Sequence, residues 1–324
     1  MPHQRSAGIG LGLALLSAAT FATSGTFARS LIGAGWSAEA AVAVRVGVAA
    51  LVLAVPAAWS VRGRWRLVRA NLGLLALFGM LAVGAAQACY FNAVRFLPVG
   101  VALLLEYLGI ILVVAWTWLA HGQRPRRLTV AGSAAAIVGL AFVLDITGGG
   151  GIRPVGVLWG LGAAVGLAAY FVLSARTDSQ LPPVALACGG MAIGAVLLLL
   201  LGGLRVLPLH ATFGQVDLGG HRLSWLVPVL GLSLVAAVVS YVAGIGAARL
   251  LGARLSSFVG LTEVLFAVLI AWLVLGELPS TVQLFGGVLI IAGVALVRVE
   301  ELRRAPAPAV APPPAPEPAP VAPR

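Results

Sequence analysis

Residues 103–125 read LLLEYLGIILVVAWTWLAHGQRP. Glu106 stands in the middle of an aliphatic run that ends in two tryptophans, a Gly and a Pro. A second stretch, GLTEVLFAVLIAWLVLGELP at 260–279, has the same build, with Glu263 near its start. A helix needs about 20 apolar residues to cross a bilayer, and both stretches qualify. A carboxylate at that depth is costly and must face protein or a polar cavity rather than lipid.

Working outward, apolar runs of similar length cover most of the chain. They fall at 7–28, 38–60, 71–92, 98–119, 128–146, 154–175, 182–203, 224–247, 255–275 and 281–299. Hydrophobic residues make up 60% of the 324 and charged residues 10%, against about 25% charged in a soluble domain. Mean hydropathy is +1.05. Barrel strands would be shorter and would alternate in polarity. The expected fold is therefore an all-α polytopic membrane protein with ten transmembrane helices.

The net charge of +11 is spread in a way that excludes a nucleic-acid surface. Every Lys/Arg-type cation is an Arg, and most lie between alternate helices. One side receives Arg62, Arg64, Arg66 and Arg69, then Arg124, Arg126 and Arg127, and finally Arg298, Arg303 and Arg304. The other side receives Arg29, Arg95, Arg153, Arg205 and Arg222. Basic loops stay in the cytoplasm, which places both termini there and the protein in a bacterial cytoplasmic membrane. Trp36, Trp59, Trp65, Trp116, Trp118, Trp159, Trp225 and Trp272 fall near helix ends, as an interfacial belt requires. The first run is too long for a cleaved signal segment and has no small-x-small site after it. Cys89 and Cys188 both lie in apolar runs, with neither a disulfide framework nor metal-ligand spacing. No cofactor or metal is expected.

The chain matches itself at an offset of 154. AVRFLPVG at 93–100 lies over AARLLGAR at 247–254, and WLAHGQRP at 118–125 over WLVLGELP at 272–279. The same register pairs Gly132 with Gly286 and Gly139 with Gly293. Each half holds five runs, an odd number, so the second half enters the membrane inverted. Two inverted five-helix repeats with a site near the midplane are the build of alternating-access transporters. The expected domains are 1–148 and 152–300, joined by the glycine-rich ITGGGGIRP at 146–154, followed by a Pro/Ala-rich disordered cytoplasmic tail at 301–324.

Ten helices in two halves, each with a W-L-x-x-G-[EQ]-x-P turn and a glycine-spaced last helix, resemble the drug/metabolite transporter superfamily, EamA type. The resemblance covers residues 7–300, and Arg45 in AVAVRVGVAA also fits the family pattern. It implies a ten-helix bundle around a central cavity and export of small metabolites, such as amino acids, or of drugs. Two departures stand out. Family members often carry a proline near Gly109 and just after Glu263, where this chain has Val264, and Gln123 stands where the second half has Glu277.

The candidate coupling residues are Glu106, Glu263 and Arg45. Glu106 lies about nine residues into its helix and Arg45 about seven into its own, depths of roughly 13 and 10 Å, so an ion pair between them competes with a role for Glu106 in transport. Ala102 and Gly109 flank Glu106 while Gly260 and Ala267 flank Glu263; small residues on that face permit close packing or a cavity. Candidate cavity residues are Ser17, Thr20 and Ser24 on the first helix, Gln87 and Tyr90 on the third, Tyr170 on the sixth, and Ser240 and Tyr241 on the eighth. Ordinary helix–helix hydrogen bonding explains any one of these equally well.

An enzyme is not expected: the four His lie at helix ends or in loops, no Asp is mid-membrane, and neither a Lys nor a P-loop is present. The expected function is secondary active export of small metabolites such as amino acids by alternating access. A flippase for lipid or lipid-linked substrates is the alternative. The expected partners are a small-molecule substrate and membrane lipid, with protons as a candidate coupling ion, and the sequence is compatible with a homodimer.

Overall fold

The computed structural model describes residues 2–122, 126–143, 153–174, 181–244, 247, 250–251 and 259–304. The glycine linker at 146–152 and residues 305–324 of the expected tail lie outside them.

Helix α1 spans Pro2–Gly33 and α2 spans Ala38–Ser60. Ser37 caps α2, its Oγ accepting the Ala40 N–H at 3.2 Å, and Glu39 sits in the first turn, where a carboxylate suits the helix dipole. After the short α3 (Trp65–Ala70), the third apolar run forms α4 (Leu72–Leu77), a π-helical stretch π1 (Phe78–Ala85) and α5 (Ala86–Phe96). The run expected as one helix at 98–119 is two, α6 (Val99–Tyr107) and α7 (Gly109–His121), with a break at Leu108. At the break Gly109 lies against α9, so close that a Cβ there would stand 2.4 Å from the Ala164 carbonyl oxygen. Then follow α8 (Arg127–Val143), α9 (Pro154–Ser174) and α10 (Pro183–Gly203).

One expectation is corrected at this point, because the fold is not purely α. Strands β1 (Gln215–Leu218) and β2 (His221–Ser224) pair antiparallel. The two-residue connection is Gly219–Gly220, with φ of 66° and 77°, the left-handed pair that a tight hairpin turn demands. Beyond it run α11 (Leu226–Leu230), a second π stretch π2 (Gly231–Val239), α12 (Thr262–Leu275) and α13 (Thr281–Arg304). Because α13 continues to Arg304, the expected start of the tail at 301 falls inside a helix.

Among the described residues, five helical segments are long and apolar enough to cross a membrane: 8–33, 38–60, 72–96, 184–203 and 226–244. Five shorter apolar helices accompany them. Leucines at the periphery are bare, with Leu51 75% and Leu119 81% exposed. Such faces suit hydrocarbon, and inside them Phe91, Leu105 and Ile290 form a closed core.

The packing pairs distant segments. Helix α8 lies along α13, α2 along α10, α5 against α9, and α1 against α12 and π2. The α8–α13 crossing is close and reciprocal. A Cβ on Gly132 would stand 2.5 Å from the Gly293 oxygen, and one on Gly139 2.6 Å from the Gly286 oxygen. Backbones approach this closely only where side chains are missing. The spacing of 154 recurs in local structure as well. Residues 78–85 of π1 fall on 232–239, within π2, and α7 and α12 both end at a left-handed glycine, Gly122 and Gly276.

Gly286→Ala is expected to cost about 1–3 kcal/mol by overpacking, since its Cβ meets backbone atoms of Gly139 and Val143. Thermal unfolding in detergent reads this as a clear fall in Tm. Gly73→Ala, with nothing within 4 Å of the new carbon, is the control and leaves Tm unchanged or slightly raised.

Candidate functional site

Arg45 projects from α2 into the centre of the bundle and is 2% exposed. Its Nη1 donates to the Gln87 Oε1 on α5, and its Nη2 to the Ala236 carbonyl in π2 at 3.0 Å. The guanidinium also lies over the rings of Phe21 at 5.1 Å and Phe91 at 5.7 Å. Four elements thus converge on one cation. Among the described residues no ion pair joins Arg45 to Glu106; the expected meeting gives way to Gln87 and a backbone carbonyl. Glu106, Glu263, Tyr90 and Tyr241 nevertheless lie within electrostatic reach of Arg45. A hydrated guanidinium loses its water when buried, and a ring face, an amide oxygen and a carbonyl together replace it.

The two glutamates flank equivalent breaks on opposite sides. Glu106 lies two residues before Leu108, and Glu263 two residues after Leu261. Tyr107 connects them, with its hydroxyl 3.0 Å from Glu263 Oε2 and 3.2 Å from the Gly260 carbonyl. Tyr107 was not among the expected site residues. Its adjacency to Glu106 was visible, but its reach across 156 residues of sequence to Glu263 depends on how α6 is rotated.

The remaining expected residues divide by where their polar atoms point. Ser17 Oγ donates to the Ser240 carbonyl at 2.8 Å, and Ser240 Oγ lies 2.9 Å from the Ala237 carbonyl. Thr20 Oγ1 lies 2.7 Å from the Leu16 carbonyl of its own helix. These hydroxyls are held by backbone. Ser24, 3% exposed, keeps a buried Oγ with no protein partner. Tyr90 is buried with its hydroxyl against Gly25 of α1, where a Cβ would stand 2.6 Å away. Tyr241 packs on Phe21 at 5.8 Å between ring centroids, and Tyr170 on Phe78 at 5.7 Å.

A second polar group lies nearer one end of the bundle. Asn92 Nδ2 donates to Glu39 Oε1 at 2.9 Å, and Arg95 Nη1 donates to Asn92 Oδ1 at 3.1 Å. At the same end Arg29 pairs with Glu277 at 3.0 Å. Sequence periodicity did not single out these contacts, because Glu39–Asn92 and Arg29–Glu277 join segments far apart in the sequence.

Known proteins match most of the chain. The description EamA-like transporter family matches residues 8–145 and again 154–299. A protein of Streptantibioticus cattleyicolor named a probable terminal-alkyne amino-acid exporter is 29% identical over 80% of this chain and 84% of its own length. The uncharacterized inner membrane transporter YicL of Salmonella typhimurium is 25% identical over 72% of this chain and 75% of its own. A solved crystal structure, 21% identical, covers 93% of this chain and 98% of its own with a TM-score of 0.58, a likeness of fold alone.

Gln87→Leu leaves one arm of the Arg45 guanidinium without an acceptor. The expected loss is about 1–3 kcal/mol, seen as a lower Tm in detergent. Gln87→Glu retains an acceptor and is expected to keep Tm nearer that of the parent.

Proposed function

The chain belongs to the EamA-like transporter family, and from that premise we propose that it is a secondary active exporter of small zwitterionic metabolites such as amino acids, working by alternating access in a bacterial cytoplasmic membrane. The observation that carries the proposal is the buried Arg45 with two carboxylates in electrostatic reach. Charges at such depth are costly and are kept where they do something. One guanidinium and two carboxylates complement a molecule that bears a carboxylate and an ammonium group.

In the proposed cycle Arg45 faces the substrate carboxylate with the N–H groups that Gln87 and Ala236 leave free. Glu106 or Glu263 receives the ammonium group, and the other carboxylate carries the coupling proton. Tyr107 holds Glu263 in place, and Ser24, Tyr90 and Tyr241 line the path. Two inverted five-helix repeats, 1–148 and 152–300, would rock about the α8–α13 crossing. The separate family matches to each half, the reciprocal glycine contacts and the recurring 154-residue spacing support this arrangement. The relative named as an amino-acid exporter supports the substrate class. The arginine distribution supports cytoplasmic termini, with the Arg29 end facing out.

A flippase-like activity is favoured by one feature. An apolar groove of about 220 Å³ lies between α6, α12 and α13, lined by Val101, Leu104, Val264, Val268 and Ile291 among others, next to the glutamate-bearing segments.

The test is reconstitution in liposomes with an amino-acid and metabolite panel, with and without a proton gradient. Wild type is expected to move at least one zwitterion faster under the gradient. Glu263→Gln is expected to keep substrate exchange and lose the gradient dependence. Identical behaviour of the two proteins makes Glu263 structural. If no solute moves and labelled lipid scrambles in the same vesicles, the flippase alternative replaces the exporter.

A further inference from the structure

An alternating-access carrier must seal the two ends of its path in turn, and at one end an ion pair joins the two halves of the chain. Arg29 lies four residues before the end of the long α1. Its Nη2 stands 3.0 Å from Glu277 Oε1, in the turn between α12 and α13. Its Nη1 donates to the carbonyls of Val94 and Leu97, the latter at 3.0 Å. The other carboxylate oxygen of Glu277 accepts the Val99 N–H at 3.1 Å. The cation therefore sits on the carbonyl end of α5 and the carboxylate on the amide end of α6, each sign matching the helix end it meets.

These four segments carry most of the proposed site. Ser24 is on α1, Gln87 and Tyr90 on α5, Glu106 on α6 and Glu263 on α12. Val94 lies seven residues beyond Gln87, and Val99 seven before Glu106, about 10 Å along each helix. The ion pair thus stands one and a half to two turns above the central cluster. It ties together the elements whose separation would open the cluster to that end.

An exposed ion pair is worth little, but this one is part-buried, with side chains 36% and 18% exposed, and both partners also hold backbone groups. The same end is roofed by the segment before β1. Trp36 Nε1 donates to the Thr212 carbonyl at 2.8 Å, and Trp36, Phe213 and Trp225 stack against one another. The 154 register places Gln123 opposite Glu277, and a neutral amide forms no ion pair. The charge that seals one end has no counterpart at that position in the other half.

We infer that Arg29 and Glu277 form the gate of the Arg29 end. The pair holds that end closed over the Arg45–Glu106–Glu263 cluster and must part for substrate to leave there. Such a gate presupposes the carrier mechanism proposed above, and its test needs no substrate.

The probe is Ser24→Cys in a Cys89→Ala, Cys188→Ala background, reconstituted in vesicles of known orientation. A membrane-impermeant thiol reagent is applied from each side in turn. With Glu277→Gln, which keeps an acceptor for Val99 but removes the charge, labelling from the Arg29 side is expected to rise about tenfold, the population change that about 1.4 kcal/mol produces. Labelling from the opposite side is expected not to rise. Arg29→Lys, which keeps the charge, is expected to label close to the parent. Adding Arg29→Gln to Glu277→Gln is expected to raise labelling by less than the product of the two single effects, since the pair is shared between them. Unchanged labelling from the Arg29 side in a variant that stays monodisperse overturns the gate. So does an equal rise from both sides, which marks loosened packing. Failure of the carrier mechanism shows separately, as no solute movement in the liposome panel.

Discussion

A guanidinium among apolar helices dictates much of this architecture. Arg45 is buried, so the protein must supply its acceptors. It does so from segments far apart in sequence: Phe21, Gln87, Phe91 and the Ala236 carbonyl. The carbonyl comes from a π-wound stretch and also accepts from Ser240 Oγ at 3.0 Å. Wide winding is uncommon and often accompanies function; here it coincides with an oxygen shared between a side chain of its own helix and a cation from another. Removing any one partner leaves a charge that the rest of the bundle must cover.

Much of the frame was legible in the sequence. Long apolar runs at regular spacing give membrane helices because nothing else satisfies a backbone in lipid. The glycines at 132, 139, 286 and 293 stood out in the 154 register, and they meet in space, each with the repeat mate of the other glycine of its own helix. The site was legible only in part. Depth along a helix follows from counting residues, so Arg45 and Glu106 were placed at comparable levels. Rotation about the axis depends on neighbours, and it decides that Arg45 reaches Gln87 rather than Glu106 and that Tyr107 reaches Glu263. The break at Leu108 was hidden for the same reason: no proline marks it, and its setting is the contact of Gly109 with α9. The hairpin at 215–224 was passed over because a ten-residue polar segment between helices looks like a loop until its two glycines are placed at positive φ.

The frame repeats and the chemistry does not. Glu106 and Glu263 sit on opposite sides of their helix breaks, and in the sequence register the Glu277 of one half corresponds to Gln123 of the other. A device with two identical halves would treat both ends alike. Differences of single side chains on a shared scaffold are enough to give the two ends different work.

The α8–α13 crossing also bears on how the protein is made. Its partners begin 154 residues apart, at Arg127 and Thr281. At about 5–20 residues per second, α8 emerges on the order of ten seconds or more before the helix that covers it. During that interval its glycine face, with exposed backbone carbonyls at Gly132 and Gly139, lies against lipid or the insertion machinery. This close crossing is therefore among the last contacts to form during synthesis. A chain stalled or cut before Thr281 leaves α8 without the helix whose backbone covers Gly132 and Gly139.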